Sequence, residues 1–399
     1  MKTAIVNLGC IVSGDWRAPF VQGDAILMQG DKLAKVGSVA DADLKDCDLI
    51  IDANGVTASP GLIDSHVHIA FGDYTPRVSA VGFLQNYLHG GTTTAISACE
   101  IHVPGTPHDV EGVKALAVAA KHCWDNLRPG GMRVHGGNVI LEPGMEDKDF
   151  QELASKGVWL AKAGFGSVKT PFDYVPLIAA AKRAGLITNV HTGGASLSLA
   201  NSIWGEHLIA MQPDVSFHVN GGPIAMPDAD FERVIDETRA ALQIVQAGNI
   251  RTALLVLDLA VKKDCFDRFL IATDTPTGTG MMPQGMIKSI AEMSCLSPHP
   301  PEWMIAAATG NPANVYRLNS GFLQPGRDAD VLLIDAPLGG SKRTALKALK
   351  NGDVTAALAC FTAGVPRYIG RSRCTPPPMR YASIVKNTVV NEFPAPPLV

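Results

Sequence analysis

The feature that most constrains the fold is an alternation of short apolar runs with longer amphipathic segments, which begins near Ser59. Eight apolar runs have the length of buried strands, and helix-length segments separate several of them. The predicted strands are 62–68, 92–98, 132–141, 158–163, 187–191, 215–218, 242–246 and 269–274. The predicted helices include 175–184, 231–240 and 285–293. This order predicts an α/β fold, a (β/α)8 TIM barrel, whose usual size is about 250 residues.

Shorter strand patterns occupy both ends of the chain. The first strand is predicted within 4–12, with further strands at 25–29, 33–36 and 49–52, and no helix is expected before residue 58. Beyond Asn319 we predict strands at 329–334, 354–361 and 365–369, and a Pro-rich tail from Thr375 that lies over the surface. We therefore expect two domains. Residues 59–319 form the TIM barrel, and residues 1–58 plus 320–399 form a composite small β-sandwich.

Ionisable side chains stand at the ends of five predicted barrel strands: His66, His68, Lys162, His191, His218 and Asp274. Alternate residues of a strand point the same way, so both imidazoles of the His-Val-His pair can reach one point. Active sites of this fold lie at the carboxyl ends of the strands. A buried lysine is rare without a partner. The pattern predicts a polar site in the mouth of the barrel.

Composition excludes several classes of partner. A net charge of −4 and the lack of a basic run argue against nucleic acid and anionic membranes. No apolar stretch reaches the length of a membrane-spanning helix. The eight cysteines form no CxxC pair, which excludes zinc ribbons and thioredoxin-like motifs, and free thiols suggest a reducing, cytoplasmic location. Because we place no cysteine at a strand end, we do not expect a thiolate ligand.

The order HxH, Lys, His, His, Asp resembles that of the amidohydrolase superfamily of metal-dependent hydrolases. Two flanking segments are similar to its sequences, PGLIDSHVH at 60–68 and GFLQPGRDAD at 321–330. Five others resemble its enamidase branch: GDYTPR at 72–77, HGG at 135–137, HTGG at 191–194, HVNGGP at 218–223 and DTPTGTG at 274–280. One position departs from that branch, because Lys162 stands where the resemblance leads us to expect a glutamate.

The resemblance implies a binuclear metal site. One divalent cation would be held by His66, His68 and Asp274, and the other by His191 and His218. Lys162 would bridge them as a CO2-derived carbamate, since an ammonium group cannot bind a cation. The donor set suits Zn²⁺, with Fe²⁺, Mn²⁺ or cobalt as alternatives. A hydroxide between the metals would be the nucleophile, and Asp274 the general acid–base.

The implied substrate is a small cyclic amide, an enamide or lactam such as 1,4,5,6-tetrahydro-6-oxonicotinate, which would be hydrolysed with ring opening. Candidate substrate contacts are Asp73, Tyr74 and Arg77 on the loop after the first barrel strand, together with Thr192 and Asn220. A guanidinium suits a ring carboxylate, although Arg77 could equally form a local ion pair with Asp73. The resemblance also implies a homo-oligomer, with a tetramer favoured.

Two other interpretations stay open. A mononuclear deaminase of the same superfamily needs no bridging lysine, and one metal per chain without a CO2 adduct would support it. A scaffold that has lost its site would lack a ligand position, whereas all six are present here. His135 is expected to be a core histidine rather than a ligand.

Overall fold

The computed structural model describes residues 1–69, 80–100, 105–196, 200–222, 224–276 and 280–389. The amino-terminal segment contains β1 (Lys2–Val6), β2 (Cys10–Val12), β3 (Phe20–Val21), β4 (Ala25–Gln29), β5 (Lys32–Gly37), α1 (Asp41–Lys45), β6 (Leu49–Asp52) and β7 (Thr57–Pro60). The expectation of no helix before residue 58 is therefore wrong. The helix α1 buries no residue, so no apolar periodicity marks it, and its acidic first turn and final Lys45 suit the helix dipole.

The central segment alternates strands and helices. It contains β8 (Leu62–Val67), α2 (Ala80–His89), β9 (Thr92–Ser97), α3 (Val110–Asn126), β10 (Arg133–His135), β11 (Asn138–Ile140), α4 (Asp147–Ser155), β12 (Leu160–Ala163), α5 (Tyr174–Arg183), β13 (Ile187–His191), α6 (Gly205–Met211), β14 (Val215–Phe217), α7 (Asp228–Glu237), β15 (Ala241–Val245), α8 (Ile250–Lys262) and β16 (Phe269–Ala272). The carboxyl-terminal segment contains α9 (Gly285–Leu296), α10 (Pro301–Ala307), α11 (Gly310–Val315), β17 (Val331–Asp335), α12 (Ala345–Lys350), β18 (Ala356–Thr362), β19 (Val365–Ile369) and β20 (Ser383–Asn387).

The strands of the central segment pair in parallel. One sheet has the order β10-β9-β8, and the other runs β11-β12-β13-β14-β15-β16. The two sheets come together where the last strand meets the first. There the backbone N–H of Asp274 donates to the carbonyl of His66 (3.0 Å), and the Thr273 hydroxyl donates to the Asp64 carboxylate (2.5 Å).

The third predicted barrel strand, 132–141, is interrupted in the structure. Gly136 and Gly137 separate β10, which pairs with β9, from β11, which pairs with β12. A Cβ on Gly136 would lie 2.3 Å from the Trp124 ring, and Gly137 has φ +86°. The glycines thus permit both a close approach of α3 and a backbone conformation that other residues rarely adopt. The other seven predicted strands match β8, β9 and β12–β16, with bounds that differ by at most two residues.

The terminal strands form two sheets with the orders β20-β6-β1-β4-β5 and β19-β18-β17-β7-β2-β3. Residues of both sheets share one hydrophobic core, which includes Ile5 and Ile26 from the first and Val331 and Phe361 from the second. The tail was expected only to cover the surface, but its strand β20 pairs with β6. The predicted first strand is likewise two strands, β1 and β2.

Apolar side chains from seven of the parallel strands pack into a single cluster that fills the space between them. Ile63, Ile96, Leu160, Ile187 and Leu270 belong to it, and each is 2% exposed or less. This layer supports the strand ends described below, because buried aliphatic side chains leave little room for the backbone to shift. In the described ranges, no helix combines the length and the apolarity needed to cross a membrane.

Candidate metal centre

Two histidines and one aspartate converge where β8 meets the end of β16. His66 lies within β8 and His68 directly follows its last residue, so both rings project to the same side. Their Nε2 atoms lie 3.2 Å and 2.9 Å from Oδ1 of Asp274. The candidate ligand atoms of these three residues all lie within 4.8 Å of one another. One divalent cation could contact all three.

Strained backbone delivers two of the candidate ligands. Asp274 has φ +62° and His218 has φ +35°, in the left-handed region that non-glycine residues seldom occupy. Such residues persist when their surroundings hold them, and they cluster at functional sites. For Asp274 the surroundings include its N–H bond to His66 and the anchored neighbour Thr273. Both side chains therefore reach the cluster from a backbone conformation that is unfavourable for residues other than glycine.

A second pair of histidines lies beside the first group. Nδ1 of His191 is 3.0 Å from Nε2 of His218, and the ring centroids of His66 and His218 are 5.4 Å apart. Nε2 of His191 lies 2.9 Å from the carbonyl oxygen of Gly194. Because a carbonyl only accepts, that nitrogen carries the hydrogen, and Nδ1 is left with its lone pair. The second pair can thus offer two imidazole nitrogens to one cation.

The amine of Lys162, on β12, has no hydrogen-bond partner among the described residues, and its side chain is wholly buried. Its Nζ atom lies 4.0 Å from the ring centroid of Phe217 and 5.5 Å from that of Phe165. Burial lowers the pKa of this amine to about 8, although the charges of Cys99 and Asp274 oppose the shift. An unpartnered buried amine is costly, which favours a chemical change or a ligand at this position.

Burial keeps the imidazoles of His66, His191 and His218 neutral, and neighbouring histidines keep Asp274 ionised. Burial lowers the pKa of His66 to about 4 and that of His191 to about 3, and it holds the pKa of His218 well below its usual value. Burial alone would raise the pKa of Asp274, but His66 and His68 hold it well below its usual range. Neutral imidazole and ionised carboxylate are the forms that bind metals.

Two of the five predicted substrate contacts lie among the described residues. Asp73, Tyr74 and Arg77 lie outside the described residues. Thr192 and Asn220 are buried, and their polar atoms bond to neighbouring strands. The Thr192 hydroxyl lies 2.7 Å from the hydroxyl of Ser216, and the Asn220 amide bridges to the backbone N–H and C=O of Val245 at 2.9 Å each. These bonds join neighbouring strands, and contact of the two residues with a substrate stays a prediction.

The sequence interpretation missed Cys99. This residue follows β9 by two positions, is buried, and lies near enough to Lys162 and Asp274 for their charges to act on it. The predicted strand 92–98 already placed Cys99 next to its end, whereas the expectation that no thiolate acts as a ligand stays a prediction. Burial raises the pKa of the thiol to about 12, so the thiol is protonated near neutral pH.

Sequence reasoning also missed Gln243, in the middle of β15. Its side-chain oxygen lies 2.7 Å from Nδ1 of His66. A glutamine within a strand carries no motif, and only the alternation of side chains could have suggested that it faces the interior. His135, by contrast, lies outside the cluster and packs edge-on against Trp159, with ring centroids 5.3 Å apart, as expected of a core histidine.

Comparison with known proteins agrees with this arrangement. The profile of the Amidohydrolase family matches residues 57–360. The chain belongs to this family. It is accordingly a hydrolase that acts on carbon–nitrogen bonds other than peptide bonds, in a superfamily of metal-dependent enzymes with a TIM-barrel fold.

Individual known proteins differ widely in their similarity to the chain. Enamidase of Eubacterium barkeri is 40% identical over 387 residues, which cover 96% of this chain and 100% of that protein. The crystal structure of enamidase superposes with a TM-score of 0.91 over the same shares. Adenine deaminase of Bacillus velezensis is 24% identical, over 71% of this chain and 47% of its own. The β-aspartyl dipeptidase of Fervidobacterium islandicum shares only the fold, with 18% identity and a TM-score of 0.63 over 92% of this chain and 96% of its own.

Proposed function

We propose that the chain is a binuclear metal-dependent amidohydrolase that opens a cyclic amide, with 1,4,5,6-tetrahydro-6-oxonicotinate as a representative substrate. Similarity to enamidase over nearly the whole chain supports a cyclic enamide or lactam. The observation that carries the proposal is the convergence of two ligand groups near a buried amine without a partner.

The residues present fit two divalent cations. His66, His68 and Asp274 would hold one, and His191 and His218 the other, with Zn²⁺ the expected metal and Fe²⁺ or Mn²⁺ as alternatives. Lys162 would take part after its neutral amine reacts with CO2, which forms an N–C bond and releases one proton. The resulting carbamate is an anion with two oxygens. Nearby cations would favour this anion, and it would remove the cost of the unpartnered amine.

When bound, the two cations would supply an acidified water molecule and a Lewis acid for the scissile carbonyl. The protein's own part in proton transfer falls to Asp274. Its carboxylate is ionised, so it can accept a proton from water and give it to the leaving nitrogen. The amide C–N bond breaks as a carboxylate and an amine form. For an enamide the product is an enamine, whose hydrolysis with loss of ammonia is a natural second step.

A panel of cyclic amides tests the substrate class. We expect carboxylated rings to be hydrolysed with a higher kcat/KM than uncharged rings of the same size, because Arg77 would bind the carboxylate bidentately. Replacement of Arg77 by Gln should raise KM for carboxylated rings and leave uncharged rings unaffected. If the two ring classes react equally well, the proposed role of Arg77 is wrong.

A mononuclear deaminase is the second candidate, and the similarity to adenine deaminases favours it. The cluster of His66, His68 and Asp274 would suffice for its single metal. Metal analysis combined with mass spectrometry of the intact chain separates the two. About two metals per chain with a CO2-sized adduct support the binuclear enzyme, whereas about one metal and no adduct support the deaminase.

The domain division is also a proposal: residues 59–319 as a closed barrel, and residues 1–58 plus 320–399 as a β-sandwich. It is supported by the contacts between β16 and β8 and by the core shared between the two terminal sheets. The cytoplasmic location and the homo-oligomeric, preferably tetrameric, assembly stay predictions from the sequence.

A further inference from the structure

Gln243 joins the metal-binding strand β8 to β15 through three hydrogen-bond contacts. The side chain is wholly buried. Its Oε1 atom lies 2.7 Å from Nδ1 of His66, and its Nε2 atom donates to the Ser65 hydroxyl at 2.8 Å and to the Ser65 carbonyl at 3.2 Å. One amide thus contacts two consecutive residues of the strand that carries the HxH pair.

The partners of this amide determine which way it faces. The carbonyl of Ser65 can only accept, so the amide nitrogen of Gln243 must face Ser65 and the amide oxygen must face His66. An amide oxygen also only accepts, so Nδ1 of His66 carries the hydrogen. The other ring nitrogen, Nε2, is then left with its lone pair.

That lone pair faces another electron-rich atom. Nε2 of His66 lies 3.2 Å from Oδ1 of Asp274, an oxygen that carries lone pairs of its own. Two lone pairs at this distance repel each other unless a cation or a proton lies between them. The tautomer set by Gln243 is therefore the one that a shared cation requires.

We propose that Gln243 is a positioning residue that fixes the tautomer and ring orientation of His66, so that His66 binds a cation through Nε2. The inference needs the metal site of the proposed function but not its substrate. Outer partners of this kind typically change metal affinity by about 10- to 100-fold. A residue that only packed the barrel would change stability and leave metal affinity unaltered.

Cobalt titration of the chelator-stripped full-length chain tests this inference, with Co²⁺ absorption as the readout. We expect Gln243→Leu to weaken Co²⁺ binding about 10- to 100-fold, and Gln243→Glu, which keeps an acceptor for Nδ1, to stay closer to the unaltered protein. Gln243→Met has the same length without the acceptor and should match the Leu variant. It replaces that variant if the Leu variant does not fold.

The matched control is Asn311→Leu. Asn311 is a buried amide that donates to the carbonyls of Phe266 and Phe269, at the opposite end of β16 from Asp274. This variant should lower Tm and leave Co²⁺ affinity unchanged. Unaltered affinity in the Leu and Met variants, or an equal loss in the control, would overturn the role of Gln243. Failure of the unaltered protein to bind Co²⁺ would instead overturn the metal site itself.

Discussion

The two halves of the candidate centre differ in whether other groups of the protein provide partners for their polar side-chain atoms. In the half formed by His66, His68 and Asp274, the carboxylate lies within 3.2 Å of two imidazoles. In the half formed by Lys162, His191 and His218, the amine and Nδ1 of His218 have no hydrogen-bond partner among the described residues. The side chains of the first half are already held close together by the protein. The second half contains a buried amine that needs a chemical change or a ligand. The two halves should therefore respond differently to substitution.

The carboxylate half should show the largest effect. Asp274→Asn keeps the shape of the side chain but removes the carboxylate that is proposed both to bind a metal and to carry the proton. We expect kcat/KM to fall at least about 10³-fold, within the range of lost general acid–base catalysis. Steady-state kinetics measure the loss, and circular dichroism checks the fold. The control is Asp267→Asn at an exposed position, which should retain full activity. Near-normal turnover by Asp274→Asn would contradict the mechanism.

The amine half should lose function without losing stability. Lys162→Met fills the same space with an apolar side chain, so the buried amine and its desolvation cost disappear. We expect activity to fall at least about 10²-fold, the scale of lost support for a metal, and metal content to drop towards about one per chain. Tm of the metal-free protein should stay the same or rise. A marked fall in Tm would show that the amine has a structural role instead.

Acid should destabilise the metal-free protein through its histidines before its carboxylates. Burial lowers the pKa of His66 to about 4 and that of His191 to about 3, below the unfolded value of about 6.5. The unfolded chain therefore binds more protons below pH about 6.5, and stability falls as the pH falls. Each such histidine should cost up to about 2 kcal/mol at pH 5. The lowered pKa of Asp274 changes the free energy of unfolding only below pH about 4.

Urea denaturation between pH 7 and pH 5 measures this effect, with and without Zn²⁺. Bound metal should reduce the slope, because a metal-bound imidazole resists protonation in the folded state. Burial raises the pKa values of Asp64 and Glu100 to about 7, so protonation of these two carboxyls opposes part of the fall. A stability that rises from pH 7 to pH 5 would contradict the neutral, buried histidines.

A histidine outside the centre gives the smallest effect and a matched comparison. Burial lowers the pKa of His135 to about 3, yet its ring packs on Trp159 away from the cluster. His135→Gln should reduce the loss of stability between pH 7 and pH 5 by up to about 2 kcal/mol. Metal content and kcat should not change. A loss of metal in this variant would show that His135 belongs to the centre after all.

The sequence alone predicted which side chains converge, because their convergence depends on two strong regularities. Parallel strands bring their carboxyl ends to one face, and alternate residues share a side. These rules placed His66, His68, His191 and Asp274 correctly without any knowledge of loops. The break at Gly136 was not visible, because it depends on the approach of the Trp124 ring, a contact that is remote from strand patterning.

Other residues escaped prediction because their roles depend on tertiary partners. Gln243 matters through the atoms that it contacts, and nothing in its own neighbourhood of sequence marks it. Thr192 and Asn220 were predicted as substrate contacts because they follow histidines, and their hydrogen bonds to adjacent strands were not visible in the sequence. The local sequence pattern identifies which residues lie near the carboxyl ends of the strands. It does not show which of them form hydrogen bonds within the protein.

A crystal structure of the protein grown with Zn²⁺ and bicarbonate, with anomalous scattering to locate zinc, tests whether the centre is binuclear. We expect two zinc ions, one contacting His66, His68 and Asp274 and one contacting His191 and His218, with a carboxylated Lys162 between them. A single zinc ion beside an unmodified Lys162 amine would contradict this expectation.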